Sequence, residues 1–136
     1  MDQGPLVNEQ IEAGAWLAQE FSAQYKPLRA AFWLKESDGG RWYLYLVPDQ
    51  IDDSGVSPAY AEITRLVGPD RQDWLGPFQV KVATPNDPVA RSVIEKQEKY
   101  GRFATRLHGM VGGRYVDEVF VYPLPIAAQS EAVVTT

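Results

Sequence analysis

The chain of 136 residues contains no cysteine and a single histidine, His108. The absence of cysteine excludes disulfide bonds, thiolate metal ligands and a cysteine nucleophile. Basic residues are fewer than acidic ones: the chain has 13 Lys and Arg residues and 18 Asp and Glu residues, which gives a formal net charge of −5. Nucleic-acid binding depends on neutralising phosphates, so an acidic chain of this kind has to concentrate its positive charge locally.

Long apolar runs are missing as well, and no segment approaches the roughly 18 apolar residues that a membrane-spanning helix needs. Residues 1–5 lack the basic start and the apolar stretch of a secretory signal. We therefore expect a cytoplasmic protein that has no membrane partner and no cofactor. The length fits a single domain over residues 1–136, with an ordered part of about 6–125 and flexible tails at 1–5 and 127–136.

Three helices are predicted from apolar spacing and from capping residues. The first begins near Asn8, a plausible cap, and ends before Pro27. The other two each start with a capping side chain and a proline and end at a glycine, and they run from Ser57-Pro58 to Gly68 and from Asp87-Pro88 to Gly101.

Alternation of apolar and polar residues predicts the strands. A hairpin covers residues 28–47, a single strand covers 78–82, and a second hairpin joins 103–108 to 115–122. Helices and hairpins in this order indicate an α+β fold. We expect a two-layer sandwich, in which a mainly antiparallel sheet of about five strands carries about three helices on one face.

The first hairpin contains Asp38-Gly39, a strong turn signal between apolar runs. A three-residue loop that pairs Glu36 with Gly40 would set Leu34 opposite Trp42 and make one face of the hairpin entirely apolar. The same register would gather aromatic and basic side chains on the reverse face, together with one lysine of the following strand. These residues are Arg29, Trp33, Lys35, Arg41, Tyr43, Tyr45 and Lys81.

We expect this aromatic and basic face to be left open by the helices, and to serve a non-enzymatic protein-interaction or homodimerisation domain. Aromatic and arginine side chains are enriched in protein interfaces, so the expected partner is a second copy or another protein. Rings interleaved with cations also fit a platform for bases and phosphates. A module that binds an anion, a nucleotide or a nucleic acid is therefore the alternative.

A second group of basic residues follows the third predicted helix. Cations at this position offset the negative end of the helix dipole, which is a purely structural role. If their side chains converge, they would instead bind an anion or an acidic partner. His108 alone does not make a catalytic site, because no nucleophile motif accompanies it, and we predict no catalytic residue. The candidate anion-binding residues are Lys99, Arg102, Arg106, His108 and Arg114.

A third hypothesis concerns the loop after the first hairpin. Asp49, Asp52 and Asp53 form an oxygen-rich loop of the kind that can hold a divalent cation, although the sequence predicts no defined metal site. Pro48-Asp49, followed by Gln79-Val80-Lys81, resembles a degenerate form of the PD-(D/E)xK nuclease signature, with Gln79 in place of the middle acid. The resemblance implies a metal-dependent hydrolase or nuclease in which acidic groups hold the metal and the lysine supports the attacking water.

Overall fold

The computed structural model describes residues 8–36, 41–68, 79–100, 105–111 and 114–123, and for Asn8, Glu36, Tyr100, 105–111 and 114–117 it describes the backbone alone. The tails predicted to be flexible lie outside the described residues. The chain has an α+β fold, as predicted. In order along the chain the elements are α1 (Asn8–Gln24), β1 (Leu28–Glu36), β2 (Trp42–Pro48), α2 (Asp53–Val67), β3 (Val80–Val82), α3 (Pro88–Tyr100), β4 (Thr105–Val111) and β5 (Arg114–Val121).

The five strands form one mixed sheet in the order β3-β2-β1-β5-β4. Strand β1 pairs antiparallel with β2 and with β5, and β4 pairs antiparallel with β5. Strand β3 runs parallel to β2, with Tyr45 opposite Lys81. The parallel pair follows from the chain order, because a strand that returns beside its predecessor after a helix runs in the same direction.

The caps explain where two helices begin. The predicted start of α3 is confirmed, because Asp87 Oδ2 accepts the backbone N–H groups of Val89 and Ala90 at 3.1 Å. The predicted start of α2 is wrong. That helix begins at Asp53, since Asp52 Oδ1 already accepts the N–H of Ser54, and Pro58 lies inside the helix.

Helices cover both faces of the sheet, so the prediction that they share one face is wrong. On one face, which we call the α1–α2 face, Leu17 and Phe21 of α1 and Ile63 of α2 form an apolar cluster with the strands. On the opposite face, the α3 face, Val89 and Val93 form a second cluster. The sheet is therefore an internal layer between two sets of helices.

The predicted hairpin register is also wrong. Leu34 lies opposite Tyr43, rather than Trp42, and Trp33 lies opposite Leu44. This shift of one residue moves the side chains of β2 to the other face relative to β1. The predicted register is favoured because it makes one face apolar and leaves the polar side chains on an exposed face. Helices cover both faces of the sheet, so this reason for preferring it does not apply.

Candidate functional site

The predicted aromatic and basic face is not a single surface. Trp33 lies on the α1–α2 face and is fully buried, and its indole N–H donates to the hydroxyl of Tyr122 at 2.9 Å. Tyr45 lies on the α3 face, is 7% exposed and stacks on Phe32 with ring centroids 5.0 Å apart. The two rings are therefore interior side chains on opposite faces of the sheet.

The remaining members of the predicted face are also dispersed. Lys35 shares a face with Trp33, and Arg41 is exposed before the start of β2. Tyr43 shares a face with Tyr45 and is half-buried. Arg29 pairs with Glu98 of α3 at 3.1 Å. The prediction that these side chains form one open surface is wrong, because the true register separates them.

The predicted anion-binding group can be placed only in part. Lys99 is exposed in the last turn of α3. Arg106 and His108 belong to β4 and Arg114 begins β5, but their side chains are outside the described part of the structure. Arg102 lies wholly outside the described residues. Whether these side chains converge therefore remains a prediction.

A cleft opens where the chain leaves the parallel strands, and this feature was not predicted. After β2 the chain passes into α2 on one face, and after β3 it passes into α3 on the other face. The cleft lies beside the end of β3, between the first turns of the two helices, and has a volume of about 460 Å³. We call it the β3 cleft, and its defining residues are Tyr45, Asp53, Tyr60, Lys81, Thr84 and Asp87.

The walls of the β3 cleft are fixed by hydrogen bonds. The hydroxyl of Tyr60 reaches from α2 to β3, where it accepts the backbone N–H of Val82 at 2.9 Å. The loop after β3 closes on itself, because the N–H of Asp87 donates to the carbonyl of Thr84 at 3.0 Å. The carboxylate of Asp87 is in turn held by the first turn of α3. These hydrogen bonds define the shape of the cleft walls.

Lys81 lines this cleft and lies opposite Tyr45 in the sheet. Its ammonium group lies 4.1 Å from the ring centroid of Tyr43 and 5.8 Å from that of Tyr45. A cation over the face of an aromatic ring is attracted by the ring quadrupole. The Lys81 ammonium group is therefore directed toward the two tyrosine rings, of which Tyr45 also lines the cleft.

Two further clefts in the described part of the chain have fewer aromatic walls than the β3 cleft. One, of about 440 Å³, lies between α3 and the end of the sheet where β1 begins and β2 ends, and contains the Arg29–Glu98 ion pair together with Asp49 and Arg91. The other, of about 540 Å³, surrounds the start of α2. There, hydrogen bonds from the Ser54 hydroxyl and the Gly55 N–H lower the pKa of Asp52.

The residues of the nuclease-like pattern are not brought together. Asp49 lines the cleft between α3 and the end of β2, whereas Lys81 lines the β3 cleft and leans toward Tyr43. Within the described ranges, no three His, Asp or Glu side chains are grouped closely enough to hold a metal ion. The described residues therefore give the metal-dependent hydrolase hypothesis no assembled site.

Comparison of the chain with protein-family models, with curated proteins and with solved structures found no match. In the part of the chain that the structure describes, no helix has the length and apolar character needed to cross a membrane.

Proposed function

We propose that this protein is a binding module that holds a small polar molecule in the β3 cleft. The observation that supports this most strongly is the topology at the ends of β2 and β3. The two strands are adjacent and parallel, and the chain leaves them toward opposite faces of the sheet. In open α/β sheets, ligands bind in the crevice that this arrangement creates at the carboxyl ends of the strands.

The size and chemistry of the cleft support the same proposal. Its volume of about 460 Å³ lies in the range of small-molecule sites. Val56 and Val82 supply apolar wall, while Thr84 and Asn86 supply side chains that both donate and accept hydrogen bonds. Among the described residues, the Tyr60 hydroxyl proton has no acceptor, so that group can donate to a ligand while it accepts from Val82.

Self-association through the sheet, the first sequence-based hypothesis, is less well supported. The rings predicted to form that interface are those of Trp33 and Tyr45, which are 0% and 7% exposed. A second copy could not reach them without displacing helices. A homodimer would need a different surface, and the described residues do not single one out.

Heteronuclear NMR with a library of small polar fragments tests the proposal. We expect at least one fragment to produce saturable shifts of the backbone amides in the segment from Lys81 to Asp87. Replacing Thr84 with tryptophan would fill the cleft, so Thr84→Trp should abolish those shifts. The matched control is Ala23→Trp, which adds the same ring at an exposed position on α1.

Two results would overturn the proposal. One is that no fragment shifts these amides in a saturable way. The other is that the shifts persist unchanged in Thr84→Trp, which would place the binding somewhere else.

A further inference from the structure

We propose that His108 and Asp117 form a pH-sensitive ion pair across a bulge between β4 and β5. This pair lies away from the β3 cleft, because β3 and β4 are the two outer strands of the sheet. The register of β5 against both of its neighbouring strands points to it.

Strand β5 is bulged against β4. The register of this pair shifts between Leu107 and Gly109. The residue between them, His108, lies opposite two residues of β5, Asp117 and Glu118. Two residues opposite one make a β-bulge, a feature that is over-represented next to active sites, where it re-aims a side chain. The bulge therefore brings the single histidine of the chain to a pair of acidic residues.

Strand β5 is bulged at the same point against β1. Lys35 of β1 lies opposite Glu118, and the next residue of β1 lies opposite Val116. Asp117 is therefore the extra residue of β5, and no residue of β1 lies opposite it. Glu118 shares its position in the sheet with a lysine, so Asp117 is the acidic residue that the register assigns to His108 alone.

A histidine opposite acidic residues is favoured in its protonated form. Opposed residues of regular antiparallel strands have Cβ atoms about 4.5–5.5 Å apart, and a negative charge within about 4–6 Å raises the pKa of a histidine. The ion pair should therefore stabilise the folded state fully below the pKa of the unfolded histidine, about 6.5. That stabilisation is lost as the pH rises through the higher pKa of the folded state.

The other ionisable residues around His108 carry charges of both signs. On the surrounding strands they are Lys35, Glu36, Arg106, Arg114 and the neutral Tyr115. Helix α3 also packs against β4, and its last two turns carry Glu95, Lys96, Glu98 and Lys99, whose charges sum to zero. The two acidic residues opposite His108 are the closest in register, so we expect their attraction to exceed the repulsion from the bases.

NMR titration of the imidazole protons measures the pKa of His108 without ambiguity, because the chain has one histidine. We expect a pKa above the ordinary value of about 6.5. Asp117→Asn should lower it, since this substitution removes the charge and keeps the size of the side chain. Asp49→Asn is the matched control, because Asp49 is exposed and follows β2, which β1 and β5 separate from β4. We expect the control to titrate as the natural chain does.

Urea unfolding at about pH 5 and about pH 9 gives a second readout. The fall in the free energy of unfolding between these values should be larger for the natural chain than for Asp117→Asn. An ordinary or lowered pKa of His108 in the natural chain would overturn the ion pair, whether or not the variant folds. An unchanged pKa in Asp117→Asn, or an equal decrease in Asp49→Asn, would also overturn it.

Discussion

The indole N–H of Trp33 donates to the hydroxyl oxygen of Tyr122 at 2.9 Å, across 89 residues of sequence. The same hydroxyl donates to the backbone carbonyl of Ile11 at 2.6 Å. One phenol group therefore connects β1, the end of β5 and α1 in the interior of the α1–α2 face. This network holds α1 on the strand that occupies the centre of the sheet.

Tyr122→Phe should destabilise the protein, because it leaves the buried Trp33 N–H without its acceptor. The expected loss in the free energy of unfolding is about 1–3 kcal/mol, the usual cost of a buried donor that loses its partner. Urea unfolding followed by tryptophan fluorescence measures it. Tyr25→Phe is the control, since Tyr25 is only half-buried. Equal stability of Tyr122→Phe and the natural chain would show that the network contributes nothing.

The same tyrosine predicts a dependence on alkaline pH. Burial raises the pKa of Tyr122 above its ordinary value of 10.0. The neutral phenol is therefore favoured in the folded state, and its contribution to stability is complete below pH 10 and is lost as the pH rises further. The decline in unfolding free energy above pH 10 should be steeper for the natural chain than for Tyr122→Phe. Parallel declines would contradict the burial of a neutral Tyr122.

Gly14→Ala should also destabilise the protein, for reasons of space. A Cβ atom at Gly14 would lie 2.7 Å from Trp33 Nε1 and would also collide with the Tyr122 hydroxyl. Overpacking of this kind costs about 1–3 kcal/mol. In the double variant with Tyr122→Phe, part of the collision disappears, so the two losses should sum to more than the measured loss. Strict additivity in thermal or urea unfolding would argue against this close approach.

Much of the fold could be predicted from local chemistry. Asp87-Pro88 fixes the start of α3, because the carboxylate caps the helix and the proline needs no N–H partner. Gly68 ends α2, because its φ of 59° is a conformation that glycine adopts without strain. Each of these features depends on a few neighbouring residues, which the sequence displays directly.

The hairpin register could not be derived in the same way. A three-residue loop is favoured only if one face of the hairpin is exposed to solvent, whereas helices cover both faces. The continuous apolar run from Ala30 to Leu34 is the signal that was available, because an unbroken run is typical of a strand buried on both sides. An unbroken apolar run predicts that Trp33 is interior, and burial of both faces of β1 implies the same for Tyr45, which lies opposite Phe32 on the paired strand.

The β3 cleft was missed because its residues meet only through the topology. Tyr60 and Val82 are 22 residues apart, and their hydrogen bond exists only because β3 returns parallel to β2. The order strand, helix, strand across residues 42–82 could have indicated this pairing, since such units are usually parallel. Even so, no sequence pattern identifies Asp53 and Asp87 as two sides of one cleft.

Intermolecular nuclear Overhauser effects locate a bound molecule and so decide whether the β3 cleft is a binding site. With a fragment that shifts the Lys81–Asp87 amides in excess over the isotope-labelled protein, we expect contacts from the fragment protons to the ring protons of Tyr60. Contacts found instead at Tyr25, in the cleft around the start of α2, would show that the β3 cleft is not the binding site.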